Sequence, residues 1–343
     1  MLSERTTNNY QRTTKLDKII FKDLTTSPIG FGCTKLTDHY SRKDAIHTLE
    51  TCLEVGITHF DTARMYGFGE SEIILGDFLK DKRDKVTITT KIGLDPVALP
   101  THSQFMVKLA KDVVNRLPMI KRMISKKTNV FVNRPPLSAE RAKKHLEEAL
   151  AKLKTDYIDI LLLHEYDVAT ANQQDLISFF KEQIQKETVR HVGLGTFFEL
   201  ITEDYKSLDG VYDVLQTDNS ILKPNMGYID SKFLDTHLTI AFSTLRDLKT
   251  MQKFIEKNPD FAQMLKKEAE IDFSDSKTIL RLAIDFTKYS HPEGINIFTS
   301  TNSQNIKNNV KEWENPSFSK EQVSIVNDMM VNEKLLIPLP INQ

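Results

Sequence analysis

The sequence predicts an α/β fold, a (β/α)8 TIM barrel with a basic insertion after the third strand. Two observations predict it. Short apolar segments alternate with amphipathic ones, and eight of them have strand length. The first strand–helix junction, Gly30-Phe-Gly-Cys-Thr-Lys-Leu36, lacks the Gly-x-Gly-x-x-Gly turn of an open dinucleotide-binding sheet. Pattern alone still leaves an open doubly wound sheet as the other arrangement.

Taken in order, the strand segments are Ile29–Cys33, Ile57–Phe60, Val86–Thr90, Tyr157–Leu163, Val189–Leu194, Val214–Gln216, Leu238–Phe242 and Ile295–Phe298. Between the first two, Ser41 followed by Asp44 reads as a helix start. Ala45, Ile46, Leu49 and Leu53 then fall on one helical face, and Gly56 suits the left-handed residue that ends such a helix. A second helix is expected from about Ser138 to Leu153, with Ala142, Leu146, Ala149, Leu150 and Leu153 as its stripe. The strand after it, Tyr157–Leu163, is apolar on both faces, as a buried parallel strand should be.

Residues 1–18 read as a polar N-terminal tail, ordered or not, and 19–343 as one barrel domain. Ile19–Phe21 is a candidate short strand or hairpin outside the barrel. Residues 95–137 break the alternation. They are rich in Lys and Arg from Lys108 to Arg134, against Asp95 and Asp112 alone. In a barrel this insertion leaves the C-terminal end of a strand, so it is either a solvated excursion or a basic lid over the site.

Composition narrows the partners. A net charge of -1 gives no global attraction to nucleic acid or anionic membrane. Cys33 and Cys52 are the only cysteines and fit no metal-ligand spacing, so no metal is expected. A chain with so few cysteines, no signal-like apolar stretch and no membrane-length apolar run reads as cytoplasmic.

The chemistry concentrates at strand ends. Asp61 ends the second strand, Tyr66 lies in the loop beyond it, Lys91 ends the third strand and His164 the fourth. In a barrel these positions converge on one mouth. Each alone has an ordinary structural reading, as a cap, a rim residue or a satisfied histidine. Together they bring an acid, a phenol, an amine and an imidazole to one place.

In these contexts the chain resembles the aldo-keto reductase family. The matching words are FDTARMYG, GESEIILGDFL, TTKIGL, DYIDILLLH and NSQNIKNNV, and the resemblance runs from about Ile29 to Val310, interrupted by 95–137. It implies a (β/α)8 barrel, reduction of an aldehyde or ketone, and Asp61, Tyr66, Lys91 and His164 as catalytic residues. By this reading Tyr66 is the general acid. Lys91 beside it lowers its pKa, Asp61 holds Lys91, and His164 orients the carbonyl. The family also includes slow-turnover auxiliary subunits of ion channels, so a regulatory or binding module is the alternative.

The resemblance further implies NADPH as cofactor, with NADH as the second candidate. Gln216 matches the residue that holds the nicotinamide amide, and Phe242 the aromatic that stacks on it. Ser243 and Leu245 match a frequent Ser-Pro-Leu segment. Gly32 and Cys33, ending the first strand, are cofactor-side candidates, Cys33 weighed against a small packed side chain. Ser300, Thr301 and Asn302 could hold phosphate at a helix N-terminus, against a plain N-cap reading. Asn309 matches the residue that meets adenine. The chain departs from the pattern at Gly195 and Thr196, where a Ser-Asn pair is expected. It departs again at Thr299 and Asn305, where Lys and Arg would meet a 2′-phosphate. The expected partner is a small carbonyl compound, acidic or phosphorylated if the basic segment selects it.

Overall fold

The computed structural model describes residues 16–39, 41–96, 132–133, 136–201 and 203–332. Eight parallel strands close into a barrel in the order β10-β11-β12-β3-β4-β5-β8-β9. They are β3 (Ile29–Gly32), β4 (His59–Asp61), β5 (Thr87–Ile92), β8 (Ile158–His164), β9 (Val189–Gly195), β10 (Tyr212–Asp218), β11 (Leu238–Phe242) and β12 (Ile295–Phe298). Each corresponds to one expected apolar segment, and the sheet is closed, not open.

Five strands run further than their apolar segments at the C-terminal end. β4 takes in Asp61, β5 takes in Lys91, β8 takes in His164, β9 takes in Gly195 and β10 continues to Asp218. Hydrophobicity marks only the packed middle of a strand. The polar residues at its end keep the ladder while facing the barrel mouth.

Both expected helices form. Helix α1 (Arg42–Glu54) starts at Ser41, whose Oγ accepts from the Asp44 amide at 3.2 Å and donates to the Asp44 carboxylate at 2.8 Å. Helix α2 spans Glu70–Phe78. Helix α3 (Ala139–Leu153) is capped by Ser138 and ends on Lys154, in the left-handed region at φ 54°. Their buried stripes join the cluster between barrel and outer helices, with Leu49, Leu75 and Leu146 among its members.

Strand side chains alternate, so the inward set forms its own cluster. Ile160 and Leu162, Val214, Ile240, Ile295 and Ile297 fill the barrel. Ile19 and Leu24 join them from an antiparallel hairpin, β1 (Ile19–Phe21) and β2 (Leu24–Thr26), which closes the barrel floor. The sequence places a hairpin outside the barrel, and this is it.

The basic residues of the 95–137 insertion and residues 1–15 of the tail lie outside the described residues. What is described of the insertion begins with β6 (Asp95–Pro96), which pairs antiparallel with β7 (Val132–Asn133). Among the described residues, no helix is long and apolar enough to cross a membrane.

Candidate active site

The barrel mouth opens into a cleft of about 620 Å³ whose lining includes Asp61, Tyr66, Lys91 and His164. Strand register explains their stagger. Asp61 is level with Thr89, Lys91 lies two residues further along and is level with Leu162, and His164 lies two residues beyond that. The three side chains share one parity and climb from the barrel interior toward the mouth.

Asp61 and Lys91 form a buried pair. Lys91 Nζ donates to Asp61 Oδ1 at 2.7 Å, to Oδ2 at 2.8 Å and to the Thr62 carbonyl at 3.0 Å. Both side chains are at most 5% exposed. Burial penalises the Lys91 ammonium, but Asp61 and then Tyr66 outweigh it, and the pKa of Lys91 ends above its ordinary value. The amine is therefore held charged throughout the physiological range.

Tyr66 begins a tight bend, Tyr66–Gly69, in which Gly67 and Phe68 are both left-handed. Lys91 Nζ sits 5.2 Å from the Tyr66 ring centroid. The His164 ring stands edge-on to Tyr66, with centroids 6.1 Å apart at 83°. The loop is braced by Arg64, which donates to Asp95 at 2.9 Å and also pairs with Glu148 on α3.

One electrostatic expectation needs correction. Burial pushes the Tyr66 phenol above its ordinary pKa, while Lys91 pulls it down and Asp61 pushes it up again. Lys91 acts in the expected direction but does not win: loss of water around the phenol is the larger effect. In this state of the protein Tyr66 is firmly protonated, a proton donor rather than a phenolate.

The other expected residues divide into two groups. Gly32, Gln216, Phe242, Ser243 and Leu245 line the same cleft, as do Gly195, Thr196 and Thr299. Gln216 donates its amide to Asp61 Oδ2 at 2.7 Å. Phe242 packs against Phe197, centroids 5.5 Å apart at 71°. Cys33 does not line the cleft. It is fully buried, its thiol pointing to the Phe31 carbonyl at 3.8 Å, and burial pushes its pKa well up. It is a packed small side chain.

Beyond Thr299, the candidates Ser300, Thr301, Asn302, Asn305 and Asn309 do not line the cleft. Asn302 caps the helix Ser303–Glu314, accepting from the amides of Gln304 and Asn305. Ser300 Oγ accepts from the Asn302 amide at 3.1 Å. The side-chain oxygen of Asn302 is thus committed to the N-cap. Thr301 is exposed and Asn309 is buried. Ser300 and Asn309 edge a separate small hollow with Thr299.

Sequence reasoning missed several cleft residues, among them Lys35, Met65, Glu165, Phe197 and Arg246. Arg246 donates to Asp218 Oδ2 at 3.0 Å, and Asp218 Oδ1 accepts from the Phe198 amide at 2.9 Å. These residues sit in loops just past strand ends. Their position there was the available signal, but their residue types carry no pattern.

Comparison with known proteins agrees with the barrel fold. The model described as "Aldo/keto reductase family" matches residues 28–330. An uncharacterized oxidoreductase of Bacillus subtilis is 25% identical over 198 residues, covering 58% of this chain and 54% of the relative. Pyridoxal 4-dehydrogenase of Microbacterium luteolum is 42% identical over 73 residues, 20% of this chain and 21% of the relative. The chain thus spans about half or less of the length of these curated relatives. Two solved structures share the fold. An aldo-keto reductase from Bacillus halodurans has a TM-score of 0.65 at 18% identity, covering 96% of this chain and 99% of that one. One from Klebsiella pneumoniae in complex with NADPH has a TM-score of 0.63 at 17% identity, covering 90% and 92%. The chain belongs to the aldo/keto reductase family.

Proposed function

We propose that this member of the family reduces an aldehyde or ketone to the alcohol, with Tyr66 as general acid. The observation that carries this is one constellation. A buried ammonium, fixed by Asp61 at 2.7 Å, lies 5.2 Å from the ring of a phenol that an imidazole faces edge-on, all lining one cleft.

The cleft fits a nicotinamide dinucleotide. Phe242 offers an aromatic face, Gly32 a wall without a side chain, and Ser243, Thr244 and Arg246 a polar stretch beyond them. Bound there, the dinucleotide supplies the hydride that no side chain can. The protein supplies the proton. Tyr66 gives it to the carbonyl oxygen, and the charge left on the phenolate is stabilised by Lys91. Asp61 keeps Lys91 charged and aimed. His164 shares the donor side of the cleft and orients the carbonyl.

NADPH is the first cofactor proposed, because a structural neighbour is an NADPH complex. NADH is the second, because Thr299 and Asn305 place no cation where a 2′-phosphate would be held. Lys35 and Arg246 favour a negatively charged group somewhere in the cleft. The test is a fluorescence titration with both cofactors, followed by turnover on a panel of neutral and acidic carbonyl compounds. Binding with turnover is expected. Binding without any turnover favours the regulatory module, and failure to bind either cofactor overturns the reading.

A further inference from the structure

Gly195 and Gln216 face each other beside the Asp61–Lys91 pair. β9 and β10 place them level with one another. Gly195 has no side chain, and a Cβ there would meet the Gln216 amide oxygen at 3.2 Å, the Leu162 Cδ1 at 3.3 Å and the Lys91 Cε at 3.6 Å. The first two contacts are tight, so a side chain there would make Gln216 or Leu162 give by a few tenths of an ångström, and the third is an ordinary contact. The bare position leaves the Gln216 amide room to lie turned to Asp61. Its nitrogen donates to Asp61 Oδ2 at 2.7 Å, and both groups are at most 4% exposed.

The carboxylate is thereby held from two sides. Lys91 reaches both of its oxygens, and Gln216 reaches one. In a dry site a hydrogen bond to a charged acceptor is among the stronger ones, and it fixes the plane of the carboxylate. A carboxylate so fixed aims the ammonium that in turn faces Tyr66.

We propose that Gln216 is a positioning residue for the Asp61–Lys91 pair, and that Gly195 is the vacancy that admits it. Gln216 acts on the proton-transfer half of the site, through Asp61. The inference rests on the reductase reading for its kinetic consequence, though not for its geometry.

The consequence has a direction. An amide donor spreads the negative charge of Asp61. Without it, more of that charge is felt at Tyr66, where Asp61 already pushes the phenol up. Removing the donor makes Tyr66 a weaker acid and moves the alkaline limb of the pH profile upward.

The experiment compares Gln216→Met, which keeps the volume and removes the donor, with Gly195→Ala, which crowds the amide from behind. Expected for Gln216→Met are a fall in kcat of about tenfold and an upward-shifted alkaline limb, the latter being what loss of a cofactor contact alone would not produce. Gly195→Ala moves both readouts the same way, and the double variant is no worse than Gln216→Met alone, because both remove one contact. Weakened NADPH binding with an unmoved pH profile overturns the proposal and returns Gln216 to the cofactor. An additive double variant overturns the role of Gly195. A third measurement does not need turnover. In the cofactor-free protein, the Gln216 side-chain amide protons, identified by their loss in Gln216→Met, are expected to be slow to exchange. Fast exchange overturns the geometry. Slow exchange in a protein that binds no cofactor leaves the geometry standing and removes only the reductase reading.

Discussion

The two ends of the barrel each hold a charge cluster, and of the two only the one at the mouth lines the cleft. At the mouth, Lys91 pairs with Asp61 beside a cleft that also holds Tyr66 and His164. At the floor, His191 Nδ1 lies 2.8 Å from Asp213, its Nε2 lies 3.0 Å from Asp23, and Lys22 donates to Asp213 at 2.7 Å. Lys22 and Asp23 form the turn of the hairpin that covers the floor. The floor cluster thus latches a plug, whereas the mouth cluster borders space that a ligand can enter. A buried ion pair is weak testimony of function by itself. What distinguishes the mouth is a phenol within reach and an open cleft beside it.

The contrast is broken most forcefully at Tyr66. Tyr66→Phe removes the proton donor and one oxygen while keeping the ring that faces His164. A fall in kcat of about a thousandfold is expected, with NADPH affinity, read by fluorescence titration, unchanged. Turnover near the wild-type rate would remove Tyr66 from the chemistry. Lys91→Met comes next. It strands the Asp61 carboxylate in a dry site, so a stability loss of about 3–5 kcal/mol is expected, read by urea unfolding. A loss of turnover of about a hundredfold should accompany it. A variant that keeps full activity would show that the pair at the mouth is as structural as the one at the floor.

The same contrast explains what was legible in the sequence. The eight strands could be read because buried parallel strands are apolar on both faces, and the hairpin because Ile19–Phe21 is short and flanked by polar residues. Asp61, Lys91 and His164 stood out as polar residues ending such runs, and family words fixed their order. His191 and Asp213 were not picked out, although they too are buried. They sit near the N-terminal ends of β9 and β10, and the hairpin that satisfies them comes from about 170 residues away. Long-range partners of that kind leave no local pattern. The pull of Lys91 on the phenol was legible, but the larger effect of burial was not, for a related reason. Charge proximity can be guessed from strand order, but the extent of water exclusion around Tyr66 depends on the folded loop. Asn302 had two readings, an N-cap and a phosphate site; the structure shows the cap, with Asn302 accepting from the Gln304 and Asn305 amides.

Asp213→Asn sharpens the comparison from the other side. It keeps the shape of the floor and removes the charge that His191 and Lys22 meet. A stability loss of about 1–3 kcal/mol is expected with kcat unchanged. A drop in kcat comparable to that of Lys91→Met would mean that the floor and the mouth are coupled through the barrel interior, against the division drawn here.

The smallest effect is the dependence of each end on pH, and its sign differs between them. Burial disfavours the Asp213 carboxylate, but hydrogen bonds from His191 and Lys22 outweigh it, and its pKa is held below the ordinary value. A depressed carboxylate stabilises the fold above its unfolded pKa of about 3.9, and that contribution is lost as pH falls through the folded value. Lys91 is the reverse case. Its raised pKa stabilises the fold below the unfolded value of about 10.4 and is lost as pH rises through the folded one. Urea midpoints of wild type, Asp213→Asn and Lys91→Met across the pH range separate the two. The gap between wild type and Asp213→Asn should close below about pH 4 and persist in alkali. The gap to Lys91→Met should be open at neutral pH and narrow above about pH 10, where that of Asp213→Asn does not. A gap for Asp213→Asn that stays constant into acid would show that the floor is held by the packing of Ile19 and Leu24 rather than by its charges.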